Sequence, residues 1–211
     1  MSGRAPRAPR GPPHEVRIIG GQWKRSKLPV ADLPGLRPTP DRVRETLFNW
    51  LGQDLGGWRC LDAFAGSGAL GFEAASRGAG EVILLERDRQ QARRLAESAQ
   101  RLKATTLRVE CAEAIGWMAR VAPASFDLVF IDPPFDSTLA VPALAAAARV
   151  AAADGWIYLE LGKPLGAVEP LPRGLIVARQ GRAGSVHFHL LRREEGPPGS
   201  AAPDADGAER L

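Results

Sequence analysis

From residue 59 onward the chain alternates short apolar runs with helical patterns, and this alternation constrains its fold more than any other feature. Runs at 60–63, 82–86, 107–110, 128–131 and 156–161 read as buried strands. The segments 69–77, 89–102, 112–121 and 139–152 between them read as helices. Repeated strand–helix units of this length predict an α/β fold, with a parallel sheet covered by helices on both faces. The last part differs. Runs at 175–179 and 185–191 flank Gln180-Gly181-Arg182-Ala183-Gly184, which predicts a C-terminal antiparallel hairpin with 180–184 as its loop.

At 211 residues the chain is expected to form one domain, and its 45% hydrophobic and 25% charged composition is that of an ordinary globule. The alanine-dominated stretch 139–153 is broken by Pro142 and Arg149, so no membrane span is expected. The N-terminus lacks the apolar core of a secretory signal. Cys60 and Cys111 stand far apart with no metal-binding spacing, which argues against a disulfide or zinc site and for a reducing cytoplasm. Both cysteines and Tyr158 read as core, and His187 and His189 as packing or surface groups. Residues 1–14 and 195–211, rich in Pro, Gly and Ala, are expected to be disordered tails around a domain at 15–194.

Within 15–51, residues 16–19 and 22–30 predict a β-hairpin joined at Gly20-Gly21. Pro34, Pro38 and Pro40 extend the chain beyond it. Asp41 is placed to N-cap a helix through Leu51. The first fifty residues hold ten Lys/Arg against four Asp/Glu, although the whole chain carries only +4. A positive field gathered at one end suits a polyanionic partner.

Leu61-Asp62-Ala63-Phe64-Ala65-Gly66-Ser67-Gly68-Ala69-Leu70-Gly71 leaves a strand, turns through glycines and enters a helix. Small residues allow close approach to a ligand, and the helix start offers free N–H donors. The GxGxxG spacing, with Glu86 twenty residues after Gly66, also occurs in dinucleotide sites, so a nicotinamide-dependent oxidoreductase is an alternative. Asp62 weighs against it. A carboxylate before the glycines repels a pyrophosphate and attracts the ammonium of an amino-acid tail, which favours S-adenosylmethionine. Glu86 can then accept from both ribose hydroxyls.

The run 126–131 ends in Asp132-Pro133-Pro134-Phe135. In a doubly wound sheet, ligands bind beyond the carboxyl ends of the strands, which puts Asp132 beside the cofactor. An exocyclic amino group is a poor nucleophile because its lone pair is delocalised into the base. Asp132 and the Pro133 carbonyl can accept its two N–H bonds and aim the lone pair at a methyl donor. Pro133 and Pro134 stiffen these acceptors, and Phe135 can stack on a base drawn out of its helix. The tetrapeptide serves adenine, cytosine or guanine, so a DNA adenine-N6 methyltransferase is a further alternative. A non-catalytic RNA-binding assembly factor is another. A strand-capping turn with Phe135 in the core is the structural one.

Together these residues resemble the RsmD family of bacterial methyltransferases, which make N2-methylguanine in 16S ribosomal RNA. The most specific segments are Arg17-Ile18-Ile19-Gly20-Gly21-Gln22-Trp23, Leu36-Arg37-Pro38-Thr39, and Asp41-Arg42-Val43-Arg44-Glu45-Thr46-Leu47-Phe48-Asn49-Trp50-Leu51. The resemblance spans about residues 16–193. It implies a Rossmann-like class I fold with a seven-stranded, mostly parallel sheet, a C-terminal antiparallel hairpin and an N-terminal β-hairpin extension. It further implies 16S rRNA within the small ribosomal subunit or a late assembly intermediate as the partner. A monomer without membrane or metal is expected. By position, Asp62, Phe64, Gly66, Ser67 and Gly68 would line the methionine end of the cofactor. Glu86 would hold the ribose, with Arg87 beside the adenine and Ala112-Glu113-Ala114 reading its amine. Arg37 and Thr39 would reach the site from the N-terminal segment. Arg17, Lys24, Arg25, Lys27, Arg42 and Arg44 would contact RNA, as phosphate-positioning groups that do not read sequence.

Overall fold

The computed structural model describes residues 15–30, 39–135, 138–168 and 170–194. Both expected tails, Arg37, and the loop through Pro34 and Pro38 lie outside them. A short antiparallel pair, β1 (Glu15–Arg17) and β2 (Lys27–Pro29), precedes α1 (Asp41–Leu51). Strand–helix units follow: β3 (Arg59–Asp62), α2 (Ala69–Ser76), β4 (Glu81–Glu86), α3 (Arg89–Leu102), β5 (Leu107–Cys111), α4 (Ala114–Arg120), β6 (Phe126–Ile131), α5 (Ala140–Val150) and β7 (Ala151–Leu161). The chain closes with β8 (Leu175–Ala183) and β9 (Val186–Arg193).

Seven strands form one sheet in the order β5-β4-β3-β6-β7-β9-β8. β3 to β7 are parallel, while β9 enters antiparallel between β7 and β8. The central strands bury both faces, which is why β4 reads Val82-Ile83-Leu84-Leu85 without alternation. One face packs Phe48, Phe72, Leu84, Phe130 and Tyr158. The other packs Ile83, Met118, Ile131, Leu144 and Leu159. After β5 the chain returns to the opposite side of β3. The strand order therefore reverses at β3/β6, where a crevice opens beyond the strand ends. Among the described residues, no helix is long and apolar enough to cross a membrane.

Several local expectations need correcting. The hairpin arms are only three residues each, and Gly20-Gly21 is not the tip joining them. These glycines dock on α2 instead. Gly21 has φ +70, and a Cβ there would stand 1.8 Å from the Ser76 carbonyl oxygen. Asp41 does not cap α1; Pro40 occupies the cap, and Asp41 accepts from Arg44 (2.7 Å) and Arg17 (3.3 Å). Residues 180–183 are not a loop but continue β8, leaving Gly184 (φ +62) at the turn before β9. Gly181 keeps the strand regular there, since a Cβ would stand 2.4 Å from the Phe188 ring. Cys60 is core, but Cys111 is exposed at the end of edge strand β5.

The docking of the N-terminal segment centres on one fully buried carboxylate. Glu73 Oε2 accepts from Ile19 N–H (2.9 Å) and Arg44 (3.3 Å), while Oε1 accepts from Gly20 N–H (2.7 Å) and Arg77 Nε (3.0 Å). Ser76 Oγ accepts from Trp23 N–H (2.9 Å) and donates to the Gly20 carbonyl (2.6 Å). Arg77 also stacks 4.6 Å above the Phe48 ring. This network also corrects one expected RNA contact. Arg44 is 0% exposed and bonded to Glu73, Asp41 and the Arg17 carbonyl, so it cannot reach a phosphate.

Candidate active site

The glycine loop lies in the β3/β6 crevice, and its shape is set by side chains from three elements. At the end of β3, the buried Asp62 accepts the Gly71 N–H at 2.9 Å and a backbone N–H from Phe64. Gly71 is required there, because a Cβ would stand 2.6 Å from Leu84 and 3.1 Å from Asp62 Oδ2. Gly68 precedes α2 in the left-handed region, with φ +78. At the end of β4, Glu86 accepts from Gly66 N–H (3.0 Å) and Asp88 N–H (2.8 Å), one on each oxygen. Gln91, buried in α3, donates to the Gly66 carbonyl.

This cradle has the features an aminoacyl nucleoside needs. Burial, with Glu86 adding to it, pushes the Asp62 carboxyl up to about 7 against the opposing N–H bonds of Gly71 and Phe64. An ammonium group would relieve that cost. Each Glu86 oxygen has one backbone donor and a remaining lone pair, enough for two neighbouring hydroxyls. Ser67 is buried and accepts the Ala69 N–H, while Phe64 is half-buried. Around the far end, Arg87 is exposed and Ala112 N–H donates to the Glu86 carbonyl. Glu113 caps α4, accepting from Ile115 N–H (2.9 Å) and Gly116 N–H (2.6 Å), with Ala114 buried behind it. The Glu113 carboxylate is thus already engaged in shaping this edge.

Across the crevice, β6 delivers the half-buried Asp132 at its carboxyl end. Thr39 Oγ1 donates to Asp132 Oδ2 at 3.3 Å, so the N-terminal segment does reach the site. Pro133 is buried, whereas Phe135 is 37% exposed and stands against Gly162, where a Cβ would lie 2.8 Å from its ring. The expectation of a core Phe135 is therefore excluded. A groove of about 260 Å³ opens here, lined by Pro133, Pro134, Phe135, Glu160, Gly162 and Lys163 among others.

Glu160 is a groove-lining acidic residue that sequence reasoning missed. The parallel register Ile131↔Leu159 brings Glu160 beside Asp132, and Glu160 is only 2% exposed. Tyr158 hydroxyl donates to Glu160 Oε2 at 2.9 Å. Burial raises both carboxyls above their ordinary range, and the neighbouring Glu160 and Asp62 raise Asp132 further. The signal was present in sequence as an acidic residue at the end of an apolar strand.

The other cations expected to meet RNA are exposed: Arg17 and Lys27 on the N-terminal strand pair, Lys24 and Arg25 in the connection between them, and Arg42 at the start of α1. Lys27 pairs with Glu15 at 2.6 Å and Arg17 with Asp41, both at the surface.

A mostly parallel sheet with this strand order, a glycine cradle after its first strand, and the Asp132-Pro133-Pro134-Phe135 turn after its fourth define a Rossmann-like methyltransferase fold. A family model described as conserved hypothetical protein 95 matches residues 16–192. The chain belongs to that family, the RsmD family that its N-terminal motifs resemble. Ribosomal RNA small subunit methyltransferase D of Escherichia coli K12 is 42% identical over 186 residues, covering 85% of this chain and 91% of that protein. The Haemophilus influenzae protein of the same name is 42% identical over 189 residues, covering 84% and 94%. The solved structure of Escherichia coli yhhF has a TM-score of 0.75 and 40% identity, covering 86% of this chain and 99% of that one.

Proposed function

We propose that this protein transfers a methyl group from S-adenosylmethionine to the exocyclic N2 of a guanine in 16S ribosomal RNA. Its substrate would be the small ribosomal subunit or a late assembly intermediate, met in the cytoplasm by a monomer. The observation that carries the reading is the juxtaposition of Asp132, the rigid Pro133-Pro134 turn and the exposed Phe135 with the Asp62–Glu86 cradle. The names of its relatives support ribosomal RNA as the substrate class.

When bound, S-adenosylmethionine supplies an electrophilic methyl group on a sulfonium. Asp62 would hold its ammonium and Glu86 its ribose, along a loop whose glycines leave the backbone accessible. Asp132 and the Pro133 carbonyl accept the N–H bonds of the target amine and direct its lone pair towards the cradle. Because both acceptors are fixed before the base arrives, little reorganisation remains for the transfer itself. Phe135 offers a stacking face at the mouth of the groove. Asp132 is also the nearest acceptor for the proton the amine loses. Arg17, Lys24, Arg25, Lys27 and Arg42 would neutralise phosphates and hold the RNA in register.

The deciding experiment is to incubate the protein with small subunits from a strain lacking the modification and map the methylated nucleotide. Methylation at an amino nitrogen of adenine, or no transfer at all, would overturn the reading.

Two expectations follow for the binding surfaces. Replacing Lys24, Arg25 and Lys27 with alanine should weaken subunit binding and reduce the slope of log K against log salt by about one to three, leaving cofactor affinity unchanged. An unaltered slope would return the hairpin to the role of a solvated surface. Asp62 must be ionised to hold an ammonium, and its carboxyl sits at about 7. Cofactor affinity should therefore fall roughly tenfold per pH unit below that value, and fall again above about pH 8 as the ammonium loses its proton. Calorimetric titration should show this dependence in the wild type and its loss, at weak affinity, in Asp62→Asn.

A further inference from the structure

A second groove lies near the β8 edge of the sheet, and the methyl-transfer chemistry above gives it no role. It opens over about 330 Å³ and is lined by Gln180, Gly181, Arg182, His187 and His189. The register of the last two strands builds it. Gln180 pairs with His189 and Arg182 with His187, and directly opposed residues of an antiparallel pair point to the same face. β7 extends both rows, with Leu159 opposite His189 and Leu161 opposite His187. Both rows therefore lie on the sheet face that packs Leu144 and Leu159.

The lining suits an anion. Arg182 is exposed, and its Nε donates to the Gly184 carbonyl at 2.9 Å, which ties the guanidinium to the hairpin turn. Nε is one of five N–H donors on a guanidinium, whose fork matches the geometry of a phosphate. Gln180 adds an exposed amide, and His187 is half-buried. His189 is only 3% exposed, and among the described residues its Nδ1 has no hydrogen-bond partner. A buried polar atom in that state costs free energy until a ligand or water satisfies it. The groove also has a neighbour. Leu161 and Lys163 line the groove beside Phe135. Opposed Cβ atoms stand roughly 5 Å apart, so the two steps from Leu161 through His187 to Arg182 cover roughly 10 Å. A phosphate flanking a nucleotide drawn out against Phe135 can reach that far.

We infer that this groove holds a backbone phosphate of the substrate RNA beside the nucleotide whose base enters the Phe135 groove, with Arg182 as its charged contact and Gln180 and His187 as its hydrogen-bonding ones. The N-terminal cations serve a different place. Ile18 and Leu28 of that segment pack with Phe48, on the opposite face of the sheet. The RNA is then gripped from both faces, with the target nucleotide between the two grips. Arg182 supplies affinity and register without reading sequence. Arg179 provides the contrast. It is exposed on the same strand, but it pairs with Leu190, which belongs to the Phe48 face.

Because the phosphate site rests on the functional reading above, the experiment is arranged so that either can fail alone. Binding of the full chain to unmodified small subunits is measured over a range of salt. Arg182→Ala should weaken binding about tenfold and lower the slope of log K against log salt by about one. Arg182→Lys keeps the charge and should keep the slope, and Arg179→Ala should match the wild type. Combining Arg182→Ala with the Lys24, Arg25 and Lys27 replacements should add the two losses in log K, as independent contacts do. Directed hydroxyl-radical cleavage gives a readout that a structural role does not move. With the exposed Cys111 replaced by Cys111→Ser, iron-EDTA is tethered through Ser185→Cys at the hairpin turn, which leaves Arg182 in place. Cleavage should fall on ribosomal RNA next to the methylated nucleotide. Cleavage elsewhere, or an unchanged slope in a folded Arg182→Ala whether or not affinity falls, would overturn the phosphate site. A wild type that shows the Arg182 salt dependence but transfers no methyl group would overturn the functional reading alone.

Discussion

Asp132→Ala is expected to slow methyl transfer to unmodified small subunits by about 10²- to 10⁴-fold, with cofactor affinity nearly unchanged. The reason is geometric. Asp132 follows β6 at the strand-order reversal and is held by Thr39, whereas the hydrogen bonds of the glycine loop run through Asp62, Glu86 and Gln91. Removing its carboxylate leaves the Pro133 carbonyl as the single fixed acceptor for an amine with two N–H bonds. Asp132→Asn should lose less, because one amide oxygen can still accept, although the amide nitrogen faces the amine as a donor. Both variants should be compared at saturating cofactor, with substrate binding followed separately. A rate for Asp132→Ala equal to the wild type would remove the residue from the catalytic site.

The second large effect should appear in stability. Glu73→Ala is expected to cost about 3–5 kcal/mol, because the buried Arg77 would lose its carboxylate, Arg44 would keep only the Asp41 carboxylate, and the Ile19 and Gly20 N–H groups would lose their acceptor. Urea unfolding followed by tryptophan fluorescence measures this directly. The double variant Glu73→Leu with Arg44→Met should be markedly more stable than Glu73→Ala, since well-packed apolar replacements can equal a buried ion pair. If Glu73→Ala unfolded at the wild-type urea concentration, the network would be incidental to stability.

The sheet was legible in the sequence wherever burial left a simple trace. Val82-Ile83-Leu84-Leu85 and Leu128-Val129-Phe130-Ile131 are apolar on both faces because helices cover both, and α3 runs over the expected residues, Arg89–Leu102. The places of the glycine loop after β3 and of Asp132 after β6 were legible because each follows an apolar run at short spacing. Other features depend on contacts across the fold. Arg44 looks like a surface cation until Glu73, twenty-nine residues later, is seen to bury it. Gly20-Gly21 looks like a hairpin tip because local spacing cannot reveal that α2 approaches from outside. Cys111 follows an apolar run but lies at the end of an edge strand, where water reaches it. Glu160 lies within the expected strand. Its closeness to Asp132 comes from the register of β6 with β7, which no local pattern specifies.

Every residue of α2 is buried, from Ala69 beside the glycine loop to Ser76 beneath the N-terminal segment. An eight-residue helix with no solvent face has no position at which sequence can drift neutrally. Its first turn must keep the small residues that let the loop close. Its last must keep the polar groups that seat the basic hairpin. The glycine loop and the N-terminal segment are therefore joined through one rigid segment, and change at either end is limited by the packing at the other.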